Sequence, residues 1–233
     1  TCALPISLCL GDCKPEKATL SGLLKIGFPV ACQDGFIQVS FLLITVIANR
    51  RGVEVAAAVG IVEKIISFLF LVPSSMLSAI SAIAAQNMGA GKHGRARQTL
   101  FYGAAMAVAA GLVFSLLFQF AAEPVLALFT KEKTVVLLGS QYLKSYVFDC
   151  IFAALHFSFS GFFCAYGYSI VSFIHNAASI VLVRVPGAWL ASRLYPDTLY
   201  PMGWAAPLGS ALSALICLAA YCWLFHRGKL GSR

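Results

Sequence analysis

Val55–Ala85 reads VAAAVGIVEKIISFLFLVPSSMLSAISAIAA, a run of 31 residues with two charges, Glu63 and Lys64. An α-helix rises about 1.5 Å per residue, and a bilayer core about 30 Å thick is crossed by about 20 apolar residues. This run crosses with length to spare. Pro73, followed by Ser74 and Ser75, lies inside it. Proline lacks an N–H and crowds the preceding turn, so a kink or tilt is expected there.

Working outward, the same texture covers most of the chain. Apolar residues make up 60% and charged residues 11%, and the mean hydropathy is +0.85. Soluble domains carry roughly 25% charged residues, so these 233 residues hold too few solvating groups to cover a soluble surface. A bilayer removes that requirement, because lipid accepts apolar side chains all round a helix. Further spans are expected at Ile26–Ala48, Thr99–Ala121, Leu143–Phe163, Ile170–Ala191 and Trp204–Phe225. After the third, Val125–Phe129 is too short to cross, and Lys131-Glu132-Lys133 leads into an expected surface helix ending near Gln141. The fold class is therefore an all-α polytopic membrane bundle of about six transmembrane helices, with five as the competitor if the fourth or fifth is re-entrant. Residues 1–20 read as an extramembrane leader of doubtful nativity, since Cys2–Ile6 resembles a translated adaptor tail. Residues 21–230 read as one six-helix lobe.

The net charge of +8 does not point to nucleic acid, because the basic residues sit between spans and not on one face or in one run. Six spans place both termini on one side. That side holds Lys14, Lys17, Lys25, Lys92, Arg95, Arg97, Arg227, Lys229 and Arg233, against Arg50, Arg51, Lys131, Lys133, Lys144 and Arg193 on the other. The excess assigns both termini to the cytoplasm. Trp189, Tyr195, Tyr200 and Trp204 flank the fifth link as an interfacial aromatic belt would. Five of the eight cysteines lie in or beside apolar stretches, and Cys2, Cys9 and Cys13 precede the first span. Without a Cys-x2-Cys pair they read as structural or incidental thiols, with no metal centre and no cofactor.

An ionisable group at mid-membrane costs about 2.5–3.5 kcal/mol on insertion scales and is a functional candidate by default. Asp34, Glu63 and Asp149 qualify, with Glu63 and Asp149 at a shared depth and Asp34 nearer the inside. They form a candidate cation or proton site; the alternative is a structural ion pair with Lys64 or Arg184. Arg184, ahead of Pro186, is read first as a carboxylate's partner and second as a cavity residue. Tyr146, one helical turn before Asp149, offers a ring face to an organic cation. Gln33 and Gln38 flank Asp34 and extend its polar site or bond between helices. His156 and His175 read as neutral core residues. Gly89–Gly94 satisfies G-x-G-x-x-G letter by letter, but an apolar span precedes it where the dinucleotide fingerprint needs a strand. No hydrolase arrangement emerges either, because each candidate group sits on a different span.

Several strings, in order, resemble the multidrug and toxic compound extrusion (MATE) transporters. Leu24-Lys-Ile-Gly-Phe-Pro29 with Gln33-Asp34 is similar to the opening of their seventh helix. Ala58–Lys64, Pro73 and Gln86-Asn-Met-Gly-Ala-Gly-Lys92 with Arg95-Ala96 resemble the eighth helix and its following loop. Leu128–Glu132, Tyr142-Leu143, Phe148-Asp149 and Val183-Arg-Val-Pro186 continue the likeness, which spans about Leu23 to Arg227. The resemblance implies the carboxy-terminal six-helix half of a twelve-helix exporter in a bacterial cytoplasmic membrane, lacking its amino-terminal lobe. It implies antiport of small organic cations or amphipathic drugs against Na+ or H+ by alternating access, with Asp149 and Asp34 as Na+ ligands. Some relatives carry the seventh-helix acid one turn later, where this chain has Ile37 and Gln38. The competing readings are a lipid-linked oligosaccharide flippase, a membrane-embedded enzyme and a non-transporting membrane scaffold.

Overall fold

The computed structural model describes residues 17–230, so the leader reading falls largely outside the described residues. The chain there is helical throughout. It runs through α1 (Lys17–Asn49), α2 (Val53–Leu69), α3 (Leu71–Gly89), α4 (His93–Ala127), α5 (Lys133–Tyr146), α6 (Asp149–Ala165), α7 (Ser169–Ser179), a π-helical turn (Ile180–Arg184), α8 (Val185–Leu194), α9 (Tyr200–Gly203) and α10 (Ala205–His226). Five stretches among the described residues are long and apolar enough to cross a membrane: Leu20–Asn49, Val53–Gly89, His93–Ala127, Ser169–Leu194 and Tyr200–His226. The pair α5 and α6, bent by 43°, makes the sixth.

Two prolines shape these spans. The Val53–Gly89 stretch breaks at Phe70, one turn before Pro73. Pro73 cannot donate to the Leu69 carbonyl four residues earlier, and its ring pushes that carbonyl aside. Pro186 stands just after the π-helical turn, where its missing N–H leaves the Leu182 carbonyl without its usual donor and a wider turn takes up the slack.

The region between the third and fourth spans departs from the sequence reading. α4 continues through Pro124 to Ala127 and absorbs the short stretch expected to stand apart. α5 is not a surface helix: Val135, Gly139, Ser140, Tyr142, Leu143, Ser145 and Tyr146 are buried. It packs against α2, α4 and α9 and forms the first half of the fourth span. Asp149 opens α6 at the bend between the two helices.

α6 is the axis of the bundle. It packs against α3, α4 and α10, and nearly every residue from Asp149 to Ala165 is buried. Helices in lipid gain little from the hydrophobic effect, so they associate where small residues let backbones approach. Gly161 of α6 lies directly on the Leu77 carbonyl of α3, and Gly111 of α4 lies on the Cys150 carbonyl of α6. Outward-facing Leu42, Val113, Leu116, Phe120, Leu182 and Leu215 are exposed, as lipid contact permits.

The links sort into two ends. At one, Arg51 donates to the carbonyls of Tyr195, Pro196 and Thr198, tying the α1–α2 link to the α8–α9 link. At the other, Ser169 donates to the Lys25 carbonyl, and the Tyr166 hydroxyl meets His93 and the Leu230 carbonyl. This is the alternation that six crossings require. Trp189, Tyr195 and Tyr200 are exposed at the first end. Trp204 is instead turned onto Phe148, with ring centroids 5.2 Å apart, so it belongs to the packing and not to the aromatic belt.

Candidate functional site

α2, α5, α6 and the π-helical turn bring Glu63, Tyr142, Tyr146, Asp149 and Arg184 into one electrostatic neighbourhood. Asp149 is fully buried, Tyr146 likewise, and Arg184 is 5% exposed. The Arg184 guanidinium donates a hydrogen bond to the Tyr146 hydroxyl. It also lies 5.0 Å from the Phe41 ring centroid and 5.6 Å from that of Tyr146, an arrangement that cation–π attraction favours.

The carboxylates are partnered differently from the sequence expectation. Glu63 accepts a hydrogen bond from the Thr45 hydroxyl at 3.0 Å through Oε2, while Oε1 is buried without a partner. Both oxygens of Asp149 are buried with no hydrogen-bond partner, as is Arg184 Nε; Ser210 of α10 stands nearby. Among the described residues the one ion pair is Lys144–Glu123, at 3.7 Å on the surface. Arg184 therefore does not pair with a carboxylate as first read. A phenol and two aromatic faces hold its charge, and Lys64 is exposed away from the cluster.

Asp34 and Gln38 sit elsewhere. They line a cleft of 280 Å³ with Ile37, Phe41, Ser67, Phe70, Leu71, Ser74 and Phe157. Gln33, next to Asp34 in sequence, is not in this cleft; it is buried with Oε1 unpartnered. Three of the cleft's lining residues are aromatic, and one of them, Phe41, also touches the charged cluster. Phe41 has Arg184 on its ring, and Phe157 has His156 against it at 4.9 Å. Phe41 thus lies between the cleft and the buried charged cluster, while Phe157 borders the cleft on the side of His156.

Sequence reasoning missed Phe41, Thr45 and Tyr142. A signal was present, because Asp34, Gln38, Phe41 and Thr45 recur at helical spacing along one face of α1. It also gave no sign of the histidine network, in which the His175 ring is hydrogen-bonded to Ser160 on one nitrogen and Ser213 on the other. No group of three or more metal-ligating side chains forms a metal site among the described residues.

The Arg184–Tyr146 bond gives a direct prediction. Tyr146→Phe keeps the ring but removes the acceptor of a buried charge, which costs about 1.5–3 kcal/mol. The variant is expected to melt several degrees below the wild type in a detergent thermal-shift assay. An unchanged melting temperature would show that the hydroxyl carries no part of the guanidinium's stabilisation.

Residues 29–190 match the MatE family. The chain belongs to this family. Curated relatives agree: "Probable multidrug resistance protein NorM" of Aromatoleum aromaticum is 31% identical over 142 residues, covering 59% of this chain and 30% of that protein. "Probable multidrug resistance protein YpnP" of Bacillus subtilis is 26% identical over 185 residues, covering 77% of this chain and 41% of that protein. Among solved structures, the fold is similar to a MOP superfamily transporter from Pyrococcus furiosus, with a TM-score of 0.86 at 16% identity over 97% of this chain and 51% of that one. It is also similar to the bent form of the Vibrio cholerae MATE transporter VcmN, with a TM-score of 0.82 at 18% identity over 93% and 49%. The MatE chain described here thus spans less than half the length of these curated relatives and about half of each solved chain.

Proposed function

We propose that this chain forms one six-helix lobe, the carboxy-terminal one, of a secondary transporter that exports organic cations or amphipathic drugs in exchange for Na+ or H+. The reading rests on MatE membership and, above all, on the buried Asp149 carboxylate, which makes no hydrogen bond or ion pair, at the bend between α5 and α6. A buried charge with no partner costs several kcal/mol, so a cation that reaches it is bound at the expense of that penalty. When Asp149 and Glu63 are both ionised, their two charges against Arg184 leave one unbalanced, which one proton or one Na+ would neutralise. The same balance argues against an oligosaccharide pyrophosphate as cargo, which would need a positive cavity.

In this scheme the Asp34–Gln38 cleft receives the exported cation, and Phe41 stands between it and the ion-responsive cluster. A second lobe supplies the other wall of the cleft, and alternating access exposes it to either side. The described cations at the end bearing the α3–α4 and α6–α7 links are Lys17, Lys25, Lys92, Arg95, Arg97, Arg227 and Lys229, and no Asp or Glu lies among the described residues of those segments. That asymmetry supports placing this end in the cytoplasm of a bacterial cell. The test is efflux of a fluorescent organic cation from proteoliposomes holding the transporter that contains this lobe, with imposed Na+ or proton gradients. Efflux driven by one gradient is expected; efflux indifferent to both would overturn ion coupling.

A further inference from the structure

Arg97 has no function in the scheme above, and its surroundings are unusual for a cation. It lies half-buried near the start of α4, with its guanidinium 5.2 Å from the Phe225 ring centroid. No hydrogen bond or ion pair from it is found among the described residues, and the Tyr166 and Tyr221 phenols are its polar neighbours. It stands in a groove of 330 Å³ between α4 and α10, lined by Gly94, Gln98, Phe101, Tyr221 and Phe225. Phe101 meets Tyr221 edge to face at 6.2 Å, and Tyr221 stacks on Phe225 at 6.2 Å, so the groove wall is a continuous aromatic ladder. Phe101 is 55% exposed and Phe225 40%, which opens the ladder to lipid.

We propose that this groove is a binding site for an anionic phospholipid. The lipid phosphate supplies the counter-ion that the described residues do not give Arg97, with Gln98 and the Tyr221 hydroxyl as further donors. An acyl chain lies along Phe101 and Tyr221 toward the bilayer centre. Charge complementarity commits the site to an acidic lipid: this end of the lobe carries seven described cations and no described acid, whereas the opposite end mixes Arg50, Arg51, Lys131, Lys133, Lys144 and Arg193 with Glu54, Glu123, Glu132 and Asp197. Basic pockets between helices on the cytoplasmic side recognise lipid headgroups in this way. A guanidinium is suited to the role because its planar fork binds phosphate oxygens while its face stays on an aromatic ring. The site belongs to the lobe alone and does not depend on transport.

The experiment is native mass spectrometry of the full chain in detergent, titrated with phosphatidylglycerol or phosphatidylcholine. The wild type is expected to retain one phosphatidylglycerol at least tenfold more tightly than phosphatidylcholine. Arg97→Gln should lose that preference about tenfold. Arg95→Gln removes the same charge outside the groove and should stay within twofold of wild type. Equal losses in the two variants would reduce the effect to general surface charge and overturn the site. Displacement by inorganic phosphate at concentrations matching the lipid would overturn the acyl-chain contribution. Should Arg97→Gln not fold, brominated lipids decide the matter in the Trp189→Phe, Trp204→Phe background. There, with Trp223→Phe and Phe101→Trp added so that the fluorophore stands in the groove wall, that tryptophan should be quenched more strongly by brominated phosphatidylglycerol than by brominated phosphatidylcholine, and equal quenching counts against the site.

Discussion

Asp149→Asn is expected to bring ion-driven efflux down to background while membrane insertion and melting temperature stay near wild type. The side chain is fully buried and neither oxygen meets a donor in hydrogen-bond geometry, so Ser210 and Arg184 compensate the charge only from a distance. Replacing carboxylate by amide therefore removes a penalty of burial more than a stabilising contact. What it does remove is the attraction for an incoming cation. Losing a partner of a buried charge costs about 3–5 kcal/mol, which is two to three orders of magnitude in affinity. The measurement is dye efflux from proteoliposomes against an imposed gradient, with thermal shift as the folding control. Asp149→Glu, which keeps the charge on a longer arm, should recover part of the activity. Wild-type efflux by Asp149→Asn would remove this residue from the mechanism and shift the coupling role to Glu63. Arg184→Gln provides the opposite perturbation: with the internal cation gone, two carboxylates face each other's field, and the concentration of Na+ or H+ giving half-maximal efflux should fall.

The spans were readable because each is an uninterrupted apolar run, and the break at Phe70 because Pro73 stands in such a run. α5 was not readable in the same way. Gly139, Ser140, Gln141, Lys144 and Ser145 lower its hydropathy, yet its buried face depends on being small. Gly203 of α9 sits against Ser145 and the Tyr142 carbonyl, and that closeness adds to the burial of Val135, Tyr142, Leu143 and Tyr146 in holding the helix inside. The candidate site divides along similar lines. Glu63, Asp149 and Arg184 stood out as charges in apolar surroundings, which a bilayer makes costly. Their partners did not: Arg184 binds the Tyr146 hydroxyl and not a carboxylate, because it ends a π-helical turn and its direction departs from the regular 3.6-residue period. Phe41 was marked only by its helical spacing from Asp34 and Gln38, and His175 gave no sign, since a histidine in an apolar run looks the same whether it simply packs or joins two buried serines.

Gly161→Leu is expected to prevent assembly of the lobe, and Gly161→Ala to weaken it severely. A Cβ built at this position overlaps the Leu77 carbonyl oxygen and comes within 3.1 Å of its carbon and 3.2 Å of its Cα. These are backbone atoms of α3, so no rotamer change relieves the overlap. Either α3 and α6 move apart or one of them bends. α6 cannot shift freely, because the Cys150 carbonyl in the first turn at its other end is pressed on Gly111 of α4, where an added Cβ would stand 2.8 Å away. Overpacking of this kind costs about 1–3 kcal/mol where neighbours can adjust, and more where they cannot. For a protein of this size each kcal/mol is about 2–4 °C in melting temperature. Gly161→Ala should therefore melt roughly 5–10 °C lower in detergent, and Gly161→Leu should elute as aggregate in size-exclusion chromatography. Gly60→Ala is the matched control: its Cβ meets nothing within 4 Å, and alanine is the better helix former by about 1 kcal/mol. It should melt at or slightly above the wild-type temperature. Normal elution and melting of Gly161→Leu would mean that α3 and α6 are not held at this distance, and the placement of α6 as the axis of the bundle would fall with it.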